Sequence, residues 1–139
     1  PWRNPHSVLR LGKSSYRGNH FAAFPHELVS TLLKTTTPVK VYPECEAPWV
    51  RVYEHVGGGD KQWRSWSRTC NCGVTDEPIP GLVLDPFVGS GTSGVVCKEM
   101  GLRFMGIDLS YSYLAEQARW NINHKAAPLD ITDLPLFGG

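Results

Sequence analysis

The stretch "LDPFVGSGTSG", Leu84–Gly94, decides the fold of this chain. It joins a short apolar run that ends in an acid, Asp85, to glycines in the pattern G-x-G-x-x-G. The apolar run predicts a buried parallel strand, and Gly91–Gly101 predicts a helix closed by a glycine. Arg103–Asp108 predicts a second strand that also ends in an acid. This strand–loop–helix–strand order is typical of an α/β fold with a ligand at the carboxyl ends of its strands.

The glycine loop and the second acid suit a cofactor that contains adenosine. Glycine lets the backbone turn tightly, and the helix N-terminus aims N–H groups at an electron-rich group. Asp108 lies 23 residues after Asp85, where a carboxylate can accept both hydroxyls of a ribose. A tight glycine turn without a ligand is the plain alternative. The spacing does not separate a nicotinamide dinucleotide from S-adenosylmethionine (AdoMet).

Residues around the glycines separate the two cofactors. "DPFVGSGTS" followed by "GIDL" resembles the AdoMet-binding half of DNA methyltransferases that modify exocyclic amines, the adenine-N6 and cytosine-N4 enzymes. Ser93 stands where the family usually has a second Thr. The upstream segment "GNHFAAFPHELV", Gly18–Val29, resembles the family's H-x-A-x-F-P-x-x-L segment. That segment precedes the glycine motif in the β-type order of motifs.

The resemblance implies a partial Rossmann-like, AdoMet-dependent methyltransferase fold with an irregular insert. By resemblance, Gly89 and Gly91 pass under the cofactor, Asp108 binds the ribose hydroxyls, and His20–Pro25 closes over the methionine end. Core packing is the alternative for Phe24 and Phe87. The candidate cofactor-binding residues are His20, Phe21, Ala22, Phe24, Pro25, Asp85, Pro86, Phe87, Gly89, Ser90, Gly91, Thr92, Ser93, Asp108 and Leu109.

The sequence lacks one motif that the family uses in catalysis. Family members hold the target amine with a [DNS]-P-P-[YFW] motif, and this chain contains no Pro-Pro pair. We therefore assign no catalytic residue and expect the chain alone to be inactive. A two-stranded parallel sheet leaves open edges, so we expect a homo-oligomer or a missing N-terminal half. A non-catalytic AdoMet- or nucleic-acid-binding remnant and a NAD-binding fragment remain alternatives.

The pattern predicts three regions. Residues 1–34 form an N-terminal arm and a helix that starts near Pro25, residues 35–80 form the insert, and residues 81–139 form the AdoMet-binding βαβα unit. Within the insert, Trp49–Val56 predicts one arm of a hairpin with its tip at Gly57–Gly59. Ser110 is expected to cap a last helix, whose apolar face comprises Tyr111, Leu114, Ala115, Ala118 and Ile122.

Three cysteines of the insert form part of a zinc-like pattern. Related phage-type methylases carry C-P-x-C-G-A-P-W and a later C-x-C-G, a spacing suited to tetrahedral zinc. Here Cys45, Cys70 and Cys72 remain, and Tyr42 stands where the first cysteine would be. Glu44 or His55 could supply a fourth ligand. We predict that zinc is unlikely to bind, because a full four-cysteine site is lost.

A basic, aromatic stretch of the insert is the candidate contact with DNA. Basic groups meet phosphates and indoles stack on bases. Packing of the insert on the core is the alternative. The candidate residues are Lys61, Trp63, Arg64, Trp66 and Arg68.

The composition agrees with a cytoplasmic location. The 139 residues are 41% hydrophobic and 19% charged, with a net charge of +1. No apolar run approaches the roughly 18 residues of a membrane span, and the sequence shows no signal-peptide pattern. We expect DNA as the partner of the complete enzyme and no membrane contact.

Overall fold

A computed structural model describes residues 11–12, 24–58, 61–73 and 75–126. The elements in chain order are α1 (His26–Thr36), β1 (Lys40–Val41), β2 (Val50–His55), β3 (Lys61–Ser67), β4 (Ile79–Pro80), β5 (Leu82–Asp85), α2 (Thr92–Glu99), β6 (Arg103–Gly106), a π-helical segment (Tyr113–Ala118) and α3 (Arg119–His124). Within the described residues, the strands form three separate two-stranded sheets. No helix among those residues has the length and hydropathy to cross a membrane.

The parallel sheet and two helices form the core. β5 pairs with β6 in parallel, from Leu82 opposite Arg103 to Asp85 opposite Gly106. Val83 and Phe104 lie on the covered face and pack against a buried cluster that also receives α1. The cluster comprises Val96, Cys97, Met100 and Leu102, with Val29 and Leu33 of α1 against it. The predicted α/β fold is therefore confirmed.

The opposite face of this sheet is bare, which corrects the prediction of a buried strand. Leu82, Leu84, Met105 and Ile107 are each about half exposed. Successive residues of a strand point to opposite faces, and the described helices cover only the face of Val83 and Phe104. Apolar runs in parallel strands are usually buried on both faces of the sheet. The apolar run of β5 is buried on one face here.

The last helix begins at Ser110 as predicted and then changes from α-helical to π-helical hydrogen bonding. Ser110 accepts a hydrogen bond from the Tyr113 backbone N–H at its hydroxyl (3.4 Å), as an N-cap residue does. The Arg119 N–H then donates to the Leu114 carbonyl, five residues back, which is the spacing of a π turn. Tyr111, expected on the apolar face, is 81% exposed, which corrects that part of the prediction.

The insert starts and ends at one place. β1 pairs antiparallel with β4, Val41 opposite Ile79, and the Gly81 N–H donates to the Val39 carbonyl (3.2 Å). Between these strands, β2 and β3 form an antiparallel hairpin. Its turn includes Gly57 and Gly58, both with positive φ. The insert adds no strand to the parallel sheet in the described residues.

The hairpin contains one extra residue. Val52 lies opposite Ser65 and Tyr53 lies opposite Trp63, which leaves Arg64 as a bulge. Trp63 and Trp66 are three residues apart in β3, so without the bulge their side chains would point to opposite faces of the hairpin. With it, Trp63 and Trp66 share a face.

Candidate functional site

The glycine loop that connects β5 to α2 is pinned by its own N–H groups. The Phe87 N–H donates to Asp85 Oδ1 (2.9 Å), and the Val88 N–H donates to the Ile107 carbonyl (3.0 Å). The Gly91 N–H donates to the Val88 carbonyl (2.8 Å). These bonds hold the loop against the carboxyl ends of both strands.

Asp108 ties the loop to the start of the last helix. Its Oδ2 accepts the Gly89 N–H (2.8 Å) and its Oδ1 accepts the Ser110 N–H (2.8 Å). The structure thus brings Asp108 and the glycines together, as the resemblance implies. A carboxylate offers about four acceptor positions, so a ribose hydroxyl would share Asp108 with these backbone groups.

The last helix contacts the glycine loop at two places, Ala118 against Gly91 and Asn121 at Ser90, and the sequence pattern did not single out Asn121. Gly91 has φ of 84°, and a Cβ added there would lie 2.8 Å from Ala118 Cα. Asn121, buried in α3, donates from Nδ2 to the Ser90 carbonyl (2.7 Å). Asn121 therefore positions the loop from behind. The sequence signal for this role was the position of Asn121, a polar residue next to Ile122 at the end of an otherwise apolar helix face.

Large apolar side chains lie exposed beside the loop. Phe87 is 79% exposed and Leu109 is fully exposed. Pro86 is exposed as well. Phe87 and Phe24, which is 57% exposed, do not pack in the core. The alternative that they serve core packing therefore does not hold in this structure.

Of His20–Pro25, only Phe24 and Pro25 are described, and they precede a residue that pairs with the end of α2 remote from the loop. His26, next to Pro25, pairs with Glu99 in the last turn of α2, whereas the glycine loop precedes the first turn. α2 has eight residues, so about 10 Å of helix separates its two ends. His20, Phe21 and Ala22 fall outside the described residues. Contact of this motif with a cofactor stays a prediction.

The hydroxyl residues of the loop differ in exposure. Ser90 is 5% exposed, and its Oγ lies 3.4 Å from Thr92 Oγ1. Thr92 and Ser93, which begin α2, are partly exposed. Thr92 and Ser93 therefore lie where a ligand can reach them, and Ser90 faces the interior.

A groove behind the loop is too small for a whole cofactor. It runs from Val88 and Gly106 to Leu114 and Arg119, with a volume of ≈ 240 Å³. Ligand pockets usually enclose roughly 300–1,000 Å³. The exposed surface in front of the loop, beside Phe87, is therefore the better candidate for a cofactor.

The three insert cysteines come together. Their sulfurs lie 3.6 Å apart for Cys45 and Cys70, 3.2 Å for Cys70 and Cys72, and 3.4 Å for Cys72 and Cys45. A hydrogen bond from the Ala47 backbone favours the Cys45 thiolate, but the two neighbouring thiols oppose it, so the pKa of Cys45 is raised overall.

Tyr42 is fully buried at the foot of the hairpin rather than exposed as a ligand. Its ring packs against Trp49, with 5.5 Å between centroids. The Arg68 guanidinium lies 4.8 Å from the same ring. Tyr42 therefore replaces a cysteine by forming a small aromatic core of the insert.

The DNA candidates divide between the two faces of the hairpin. Lys61, Trp63 and Trp66 share one face, because of the bulge at Arg64. Arg51, which the sequence analysis did not single out, lies on the same face with its guanidinium 5.2 Å from the Trp66 ring. Arg64 points to the other face and pairs with Glu54.

Comparisons with known proteins agree on one family. A family model described as DNA methylase (N6/N4 methyltransferase) matches residues 2–119. The chain is 58% identical to the type II methyltransferase M.SmaI of Serratia marcescens over 80% of this chain and 24% of that protein. It is 29% identical to M.Cfr9I of Citrobacter freundii over 81% of this chain and 24% of that protein. No solved structure matches significantly.

A short segment is more similar still. It is 66% identical to the type II methyltransferase M2.DpnII of Streptococcus pneumoniae over 23% of this chain and 12% of that protein. In each of these comparisons, the chain spans no more than 24% of the relative's length.

Proposed function

The chain belongs to the DNA methylase family, and from this membership we propose that it is the AdoMet-binding part of a DNA methyltransferase that acts on an exocyclic base amine. The observation that carries the proposal is the glycine loop at the carboxyl end of β5, tied by Asp108 to the end of β6. In open α/β sheets, ligands bind at this edge. The complete enzyme would serve a restriction-modification system.

Polar groups at this edge fit the polar parts of AdoMet. The Asp108 carboxylate suits the ribose hydroxyls. The first α-helical hydrogen bond of α2 runs from the Val95 N–H to the Gly91 carbonyl (3.0 Å). The N–H groups of Thr92 and Ser93 precede that bond and face outward from the helix N-terminus, where a carboxylate is stabilised.

Apolar groups at the same edge fit the remainder of the cofactor. Phe87 and Leu109 flank the loop and are exposed, so each can cover an apolar part of a ligand without moving the core. When bound, AdoMet would supply the methyl group carried on its sulfonium. The residues of this chain would hold and orient it, which is a large part of catalysis in such a transfer.

The hairpin is proposed to contact DNA through one face. Lys61 and Arg51 supply positive charge there, and Trp63 and Trp66 supply indole rings. Trp63 is about half exposed, so it can stack on an unpaired base. Arg64 and Arg68 stay predicted DNA contacts of a second kind, because Arg64 pairs with Glu54 and Arg68 lies over the Tyr42 ring.

We expect no methyl transfer from this chain alone. The sequence holds no Pro-Pro pair to grip a target amine, and the target base must also leave the stack. The bare face of the parallel sheet supports the need for a further segment, from another chain or another part of the protein. A non-catalytic remnant would bind AdoMet but gain no activity from such a segment.

Calorimetric titration with AdoMet and, separately, with NAD tests the proposal. We expect AdoMet to bind and NAD not to bind. Replacement of Phe87 by Ala should weaken AdoMet binding roughly tenfold, because about 1–3 kcal/mol of apolar contact is lost. Val56→Ala, an exposed apolar residue of the insert, is the matched control and should leave affinity unchanged. Tighter binding of NAD than of AdoMet would reject the proposal.

A further inference from the structure

The three sulfurs of the insert have nearly the spacing of one face of a metal tetrahedron. Zinc–sulfur bonds of about 2.3 Å in a tetrahedron place the sulfurs roughly 3.8 Å apart. Cys45, Cys70 and Cys72 have edges of 3.2–3.6 Å. A disulfide needs about 2.05 Å. Expansion by a few tenths of an ångström therefore suffices for a metal, whereas any disulfide requires one pair to approach by more than 1 Å.

The backbone, rather than chance contact of long side chains, brings these thiols together. Val50 pairs with Ser67 at the foot of the hairpin, and Cys45 and Cys72 each lie five residues beyond that pair. The Thr69 hydroxyl donates to the Pro48 carbonyl (2.7 Å) and fixes one arm to the other. The hairpin register thus determines where the cysteines meet.

Each cysteine segment also turns tightly at the site. The Glu46 N–H donates to the Tyr42 carbonyl (3.0 Å) and the Tyr42 N–H donates to the Ala47 carbonyl (3.1 Å). Glu46, directly after Cys45, has φ of 54°, and Gly73, directly after Cys72, has φ of 75°. The left-handed residue after Cys45 brings the Ala47 N–H to the Cys45 sulfur. A non-glycine residue held in this conformation shows that the turn is strongly determined.

We propose that Cys45, Cys70 and Cys72 bind one thiophilic divalent cation, Zn²⁺, and that the cation clamps the two arms of the hairpin. Sulfur ligands select such ions over Mg²⁺ or Ca²⁺. Among the described His, Asp and Glu residues, none joins the three thiols within 4.8 Å, so the proposed site comprises the three thiolates and leaves a fourth position open to water. The sequence pattern predicts against zinc because a fourth cysteine is absent, but the spacing of the three sulfurs outweighs that absence.

The test is metal binding by the full chain in reducing buffer, with Zn²⁺ or Co²⁺ alone and without AdoMet or DNA. We expect one ion per chain and, with Co²⁺, a sulfur-to-cobalt charge-transfer band of three-thiolate intensity. Cys70→Ser should reduce the affinity by more than the roughly 10–100-fold that loss of an outer-shell partner costs. Cys97→Ala, which removes a thiol in the core, should still bind one ion. Equal binding by the wild type and by the Cys45→Ser, Cys70→Ser, Cys72→Ser triple variant would overturn the site.

Hydrogen exchange tests the clamp separately from the site. Bound Zn²⁺ should slow exchange of the amides of β2 and β3 and leave β5 and β6 unchanged. Unchanged hairpin exchange with one ion bound would overturn the clamp but not the site. Since these readouts need neither AdoMet nor DNA, their outcome is independent of the proposed function.

Discussion

Gly91 is held by two separate constraints. Its φ of 84° disfavours any side chain, and a Cβ would lie 2.8 Å from Ala118 Cα and 3.0 Å from the Ala118 carbonyl oxygen. We expect Gly91→Ala to lower the free energy of unfolding by about 2–4 kcal/mol, which combines about 1 for the left-handed conformation with 1–3 for the overlap. Urea denaturation measures it.

The matched control for this substitution is Gly58→Ala. Gly58 has φ of 62° and nothing within 4 Å of an added Cβ. Only the conformational cost of about 1 kcal/mol then applies. Equal losses for the two variants would mean that the contact between the loop and the helix does not constrain Gly91.

Cys97 differs from the other cysteines in reactivity. Burial, with the negative charge of Asp85, raises the pKa of its thiol to about 12 from 9.0. At pH 8, in the presence of a metal chelator, we expect an alkylating reagent to modify Cys45, Cys70 and Cys72 and to reach Cys97 only after denaturant is added. Mass spectrometry of digests reports each site.

The same shift predicts a pH dependence of stability. Between pH 9 and 12, the Cys97 thiol ionises in the unfolded chain but not in the folded one, so the free energy of unfolding should fall as pH rises through this window. Cys97→Ala should be less sensitive to pH there. An identical pH slope for both proteins would contradict the assignment.

At the scale of elements, the β2–β3 hairpin allows a matched test of DNA contact. Lys61→Ala and Arg64→Ala remove the same charge from opposite faces. We expect Lys61→Ala to reduce the salt slope of binding to a single-stranded oligonucleotide by about one. Arg64→Ala should change it less, and its exposed pair with Glu54 should be worth at most about 1 kcal/mol of stability.

The aromatic part of the face has its own control. Trp63→Ala should weaken oligonucleotide binding by about 1–3 kcal/mol, the value of one stacked base, and Val52→Ala on the other face should not. Fluorescence anisotropy measures both. If the two faces give the same losses, binding is diffuse and electrostatic rather than a property of this face.

At the scale of the whole molecule, the bare side of the parallel sheet predicts association. We expect the chain to self-associate, and we expect Leu84→Glu to weaken that association by at least tenfold, because about 1.5–3 kcal/mol of apolar burial is lost. Val83→Glu, one residue away on the covered face, should instead lower the melting temperature. Analytical sedimentation measures the oligomeric state. A wild-type chain that remains monomeric at high concentration would contradict the expected self-association.

The sequence predicts features that depend on neighbouring residues in the chain better than features that depend on distant contacts. The strand, glycine loop and helix around Gly91, and the acid at Asp108, depend on neighbours in the chain, so their pattern was readable. The convergence of Cys45 with Cys70 depends on hairpin register, which composition does not encode. The shared face of Trp63 and Trp66 depends on a single bulged residue. The exposure of Leu84 depends on what lies beyond the described residues, so the pattern of a buried strand misled.

The pairing of β1 with β4 brings the two ends of the insert together, so the segment between them can be replaced by another segment. Val41 pairs with Ile79, and the Gly81 N–H donates to the Val39 carbonyl, so the chain leaves and re-enters at one point. The entropy of closing a loop there grows only slowly with loop length. Residues 42–78 can therefore be shortened to a turn, or exchanged for a guest domain whose ends lie close together, without displacing α1 or β5.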